Sequence, residues 1–195
     1  MIKKPAGYDT AAAYDGSRET LPPGGYICKI LGAGVEKVSV RGKMADKFVL
    51  RVDIDDGTPL SGFFMRQHRR NQQMMQGGTA RWRGTYETFI ETSDGMTNPF
   101  FKGLIKCIEA SNPGYTWNWD ERSLENRKVG LIFGEERYIG NDGKVHTTCR
   151  ARAARTVEAI RAGVETPQLI DRTGGRGLDA VQTTATVVED EDLPF

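Results

Sequence analysis

Apolar and polar positions alternate most cleanly between Lys47 and Ile54. Phe48, Leu50, Val52 and Ile54 fall on one face, and Lys47, Val49, Arg51 and Asp53 on the other. A period of two marks a strand with one buried face. Pro22-Pro23-Gly24-Gly25 ends a polar lead-in over 1–21, and Gly25 to Val40 reads as an earlier strand with a bulge or bend near Gly32-Ala33-Gly34. Asp55-Asp56-Gly57 turns the chain into a short third strand, Leu60 to Met65. The basic, polar stretch Arg66 to Gln76, closed by Gly77-Gly78, predicts a surface helix. Arg81 to Tyr86 then leads into a segment of undetermined type that runs to Ser93.

Helical spacing is plainest from Asn98 to Ser111. Asn98 suits an N-cap, Pro99 the first helical position, and Phe101, Leu104, Ile105 and Ile108 make one stripe. Asn112-Pro113-Gly114 stops it, and an aromatic loop, Tyr115 to Trp119, follows. Lys128 to Ile139 and Lys144 to Ala153 predict a hairpin around Gly140-Asn141-Asp142-Gly143, with a short helix over Thr156 to Ala162. Three strands, an insertion, one helix and two strands fit a mainly β chain. The expected architecture is a five-stranded OB-fold barrel over 22–170, with a helix between strands three and four and an inserted helical or loop segment. From 171 to 188 no amphipathic pattern remains, which predicts a flexible linker.

Composition adds a charge asymmetry. The chain of 195 residues carries a net charge of +1, but without the acids at 189–192 it has 27 basic against 22 acidic side chains. A basic body with an acidic tail points to a polyanionic partner. Cys28, Cys107 and Cys149 are far apart and odd in number, and His68 and His146 are the only histidines, so no pair has metal-ligand spacing. No cofactor or metal is expected. Lacking an apolar leader or spanning run, the chain is expected to be soluble and cytoplasmic with no membrane role. No heptad or interface stripe fixes an assembly, and a homo-oligomer stays open.

Single-strand binders combine a cationic groove with aromatic faces. The matching residues are Arg51, Arg66, Arg69, Arg81, Arg83, Arg150 and Arg152, with Phe64, Trp82 and Tyr86 as stacking candidates. Arg150 and Arg152 are expected to share one face of the last strand with His146. Each residue alone has a plainer reading, as solvated arginine or core aromatic; the set on a barrel-like frame favours nucleic acid. Trp117 and Trp119 suit stacking and aromatic capping equally. A nuclease alternative rests on Asp53, Asp55 or Glu135, but turn-forming aspartates are commoner, and no phosphate loop or hydrolase motif is present. The chain reads as a binder rather than an enzyme.

The sequence closes on Glu189-Asp190-Glu191-Asp192-Leu193-Pro194-Phe195. Four acids followed by an apolar tripeptide suit docking, with Phe195 filling a small pocket while the acids steer the encounter. The last six residues resemble the acidic tip of bacterial single-stranded DNA-binding proteins, with Leu193 in place of the usual isoleucine. The body is similar to a family of single-strand binders encoded by phages and mobile elements. That resemblance covers roughly Leu21 to Pro167 and rests on Leu21–Tyr26, Arg81–Tyr86, Phe100–Tyr115 and Lys128–Tyr138. It implies coating of single-stranded DNA during replication, recombination or repair, with the tip recruiting partner proteins. The competing expectation is a recombination mediator that acts mainly through its tail.

Overall fold

The computed structural model describes residues 2–10, 13, 19–75 and 77–174. Its centre follows from the alternating stretch. Phe48, Leu50, Val52 and Ile54 are at most 2% exposed and lie on β2 (Lys43–Ile54), which pairs with β1 (Gly24–Val40) through the two-residue turn Arg41-Gly42. Both turn residues have positive φ, 51° and 80°, the geometry that matches the twist of a tight hairpin. The β1–β2 register shifts between Ile30 and Gly32, so a bulge lies where the glycines suggested one.

Four more strands complete one six-stranded mixed sheet: β3 (Thr85–Phe89), β4 (Lys128–Ile139), β5 (Val145–Arg155) and β6 (Ile170–Asp171). Hydrogen bonding runs antiparallel in the order β3-β2-β1-β4-β5, and β6 lies parallel to β4 at Glu136 and Arg137. The ladder ends at β3 and at β5, so the sheet is not closed into a barrel. Cα atoms of these two end strands nevertheless approach within 8 Å.

The expected third strand, Leu60–Met65, is not a strand. Those residues turn and enter α1 (Phe63–Met74), and the third strand is Thr85–Phe89, which begins at the end of the Arg81–Tyr86 stretch and runs into the segment of undetermined type. Two causes are visible. Phe63 and Phe64 are both buried, at 1% and 3% exposed; adjacent residues on a strand face opposite ways, whereas a helix entering the core buries neighbours together. The first turn is also capped from another element. Asp53 Oδ1 accepts from the Phe64 N–H at 2.9 Å, and Oδ2 from the Met65 N–H at 3.2 Å. Gly62 supplies the left-handed entry, φ 75°.

Helix α2 (Pro99–Ser111) forms as its spacing predicts. Asn98 Oδ1 accepts from the Phe100 N–H at 2.9 Å, and Phe101, Leu104 and Ile108 are buried. At its far end Asn112 pairs with the backbone of Lys128 in both directions, fastening α2 to the start of β4. The core joins Cys28 and Ile30 of β1 to Val129, Leu131 and Phe133 of β4, sealed by α1, α2 and Leu124 of the short 3-10 helix Glu121–Leu124. A last helix, α3 (Val157–Ala162), follows β5. Among the described residues no helix is long and apolar enough to cross a membrane.

Burial holds all three thiols in their protonated form. It pushes the Cys28 and Cys107 pKa values up and that of Cys149 to about 11. Thiolate is the reactive species. At pH 8 the folded protein should therefore react slowly with a disulfide reagent, and three thiols should titrate promptly in denaturant. A fast thiol in the folded state would contradict this packing.

Candidate nucleic-acid interface

Between the free edges of β3 and β5 lies a cleft of about 610 Å³. Thr85 and Glu87 come to it from β3, preceded by Arg81, Trp82 and Arg83. From the hairpin come Tyr138, His146, Thr148 and Arg150, and from α1 come Phe64, Gln67, Arg70 and Asn71. Glu19 and Leu21 also line it.

The charges in this cleft are unequal in their availability. Glu87 is held by Lys47 at 2.9 Å, and Glu19 by Arg66 at 3.2 Å. The hydrogen bond to Glu87 also raises the Lys47 pKa, so that cation stays charged. Arg70, Arg81, Arg83 and Arg150 make no ion pair among the described residues. Four unspent guanidiniums beside two neutralised acids leave a cationic groove. Each guanidinium presents a planar fork that matches a phosphate.

Several expected site residues lie elsewhere or are otherwise occupied. Phe64 and Tyr86 are 3% and 5% exposed, so neither ring has a face for a base. Burial pushes the Tyr86 phenol up to about 12, and Phe64 packs on Phe133 with ring centroids 5.7 Å apart. Both belong to the core. Arg66 donates to the Ser61 and Pro59 carbonyls as well as pairing with Glu19. Arg51 and Arg69 are exposed outside the cleft, with the Arg51 guanidinium lying against Gly32. Arg152 does not share the Arg150 face. Phe133 pairs with Ala151 and Ile132 with Ala153, which makes Arg152 the extra residue of a bulge and breaks the alternation. Its guanidinium donates to the carbonyls of Glu135 and of Gln168, the latter at 2.8 Å, and burial lowers its pKa.

Trp82 stays a stacking candidate of the cleft. It is half-buried, its Nε1 donates to the Gly84 carbonyl at 2.9 Å, and its ring lies 5.4 Å from His68. A Cβ on Gly84 would sit 2.6 Å from the Phe64 ring and against the Val52 carbonyl; only glycine lets this segment lie so close to α1. The sequence groups Arg70 with Arg66 and Arg69 in one basic run but gives no reason to place it, or Tyr138, in the site. Helical spacing from Phe63 and Phe64 leads through Gln67 to Arg70 and Asn71, but that signal depends on knowing that the helix starts at Phe63. Tyr138 sits 5.7 Å from His146, whose Nε2 lies 2.8 Å from Asp142.

The acidic trio is taken up by local structure. Asp53 caps α1, Asp56 accepts from the Thr58 N–H at 2.9 Å, and Asp55 faces Lys128 at 3.6 Å. Among the described residues no three His, Cys, Asp or Glu side chains gather as a metal set. The expected tip, Glu189, Asp190, Glu191, Asp192, Leu193, Pro194 and Phe195, lies outside the described residues, as does 175–188 of the linker. Comparison with protein-family models and with curated proteins finds no match to this chain.

Proposed function

We propose that this chain binds single-stranded DNA with little sequence preference along the cleft between β3 and β5, and that it is not an enzyme. The carrying observation is the four arginines without ion pairs, Arg70, Arg81, Arg83 and Arg150, around a groove that also holds Trp82 and Tyr138. Phosphates meet the guanidiniums, and bases meet the aromatic faces. Their π-faces are common to every base, so the contact tolerates any sequence.

The frame is read as an OB barrel opened between its third and fifth strands. Two features support that reading: the strand order β3-β2-β1-β4-β5, and the position of α2 between β3 and β4. The tip Glu189–Phe195 is assigned the recruitment of replication, recombination or repair proteins, on the strength of its sequence.

Titration of labelled oligo-dT at several salt concentrations tests the proposal. Four phosphate contacts give a log–log slope of about −2.8. No binding at low salt, or a slope near zero, would refute it. A chain ending at Val188 should bind the oligonucleotide at least as tightly, because four competing negative charges are gone, and should lose capture of partner proteins. Unchanged capture would remove the recruitment role.

A further inference from the structure

On the α2 side of the molecule a second hollow, of about 460 Å³, is walled by Phe101, Ile105, Trp117 and Trp119, with Lys102 and Lys106 beside them. Trp117 belongs to the core and is 8% exposed; its Nε1 donates to the Asp120 carbonyl at 3.0 Å. Trp119 is different. At 74% exposed it is the most exposed aromatic among the described residues. Its ring lies 4.8 Å from that of Trp117, tilted by 36°, so one face is supported by a fixed indole and the other is open.

The backbone at Trp119 has φ 67°, a conformation that a bulky side chain rarely adopts. The turn around it is pinned by Asn118 Oδ1, which accepts from the Asp120 N–H at 3.2 Å. Folding thus holds a large apolar ring outward in a costly conformation with its position fixed. That is the behaviour of a contact surface rather than of a core cap.

Lys102 and Lys106 are four apart on α2, hence neighbours on one helix face. Both are exposed, and neither makes an ion pair among the described residues. Glu109, the acid of this hollow, has one carboxylate oxygen occupied by the Trp117 N–H at 2.9 Å. A supported indole face beside two free cations is the combination that takes a base together with its flanking phosphates.

We infer that Trp119, Lys102 and Lys106 form a second station for single-stranded nucleic acid, one base stacking on Trp119 and neighbouring phosphates meeting the two lysines. This rests on the single-strand reading of the cleft and extends it: a long strand engages both places, and a short one only the cleft.

The test measures binding of oligo-dT about 30 nucleotides long, beyond the site size of one OB fold, to the full chain and to the variants W119A and K102E/K106E. Loss of one stacked base weakens W119A roughly 5- to 150-fold. The double lysine variant should lose about 1.4 from the magnitude of the salt slope. All three side chains are exposed, so thermal midpoints should hold, which separates lost contact from lost fold. In a W82F background the same oligonucleotide should quench emission, and the quench should vanish in W82F/W119F. Wild-type binding with both variants indistinguishable from wild type overturns the second station alone. No binding by the wild-type chain removes the cleft reading and this one with it. Quenching of Trp119 by the peptide Glu189–Phe195, with none by oligo-dT, also overturns it and makes the hollow a peptide site.

Discussion

Reversing Arg81, Arg83 and Arg150 to glutamate together should lower the affinity for oligo-dT roughly a hundredfold at about 0.1 M salt, and should reduce the magnitude of the log–log slope by about 2. Each phosphate contact contributes about 0.7 to that slope, and three are removed. Repulsion from the new carboxylates deepens the loss further. All three arginines are exposed and make no ion pair among the described residues, so stability should stay within about 0.5 kcal/mol of wild type. The decisive control changes net charge equally without touching the cleft. Arg41, Lys43 and Arg69 are exposed elsewhere, and R41E/K43E/R69E carries the same charge change. If both triple variants lose affinity alike, long-range charge alone drives binding and the cleft has no special role. A loss confined to the first variant locates the strand between β3 and β5.

That prediction uses residues the sequence discloses unevenly, and the reasons are physical. Periodicity identifies β2 and α2 because each is buried on one face only, and one buried face imprints its period on the sequence. The hairpin of β4 and β5 is marked by its glycine-rich turn. From Arg66 onward helix α1 is legible as a basic, polar run, but its first turn hides because the features that define it are not local: two adjacent phenylalanines fit several elements, and the cap comes from Asp53 on β2. With that first turn read as the end of a strand, the face that starts at Phe63 is lost, and with it the place of Arg70 in the cleft. Arg81, Trp82 and Arg83 are legible because a dense local cluster survives any error of register. Arg152 misleads for the opposite reason. Strict alternation places it beside Arg150, and a single-residue bulge removes it. Phe64 and Tyr86 look like stacking residues because aromatic chemistry suits a core and a binding face equally; only burial separates them.

The other large effect concerns Asp53. Asp53→Ala should destabilise the protein by roughly 2–4 kcal/mol, combining a lost helix cap with buried N–H groups left unpaired. Asp53 is the one charged side chain buried among the described residues, at 8% exposed. Its carboxylate accepts from the N–H groups of Ile54, Phe64 and Met65. Alanine satisfies none of these donors, and water has little access to them. For a chain of this length, that loss corresponds to a melting temperature lower by about 4–16 °C. The same measurement discriminates against the nuclease alternative, because the two roles predict opposite signs. A carboxylate kept as a metal ligand, with no metal added, is a buried charge whose removal relieves repulsion and desolvation, so D53A and D53N would melt at or above wild type. A carboxylate kept as a cap stabilises the fold without metal: D53A melts lower, and D53N, which retains one carbonyl oxygen, falls between. Added Mg²⁺ should move none of the three midpoints. Melting wild type, D53A and D53N with and without Mg²⁺ therefore decides the role of this residue, and a metal-dependent rise in wild type alone would reopen catalysis at this strand end.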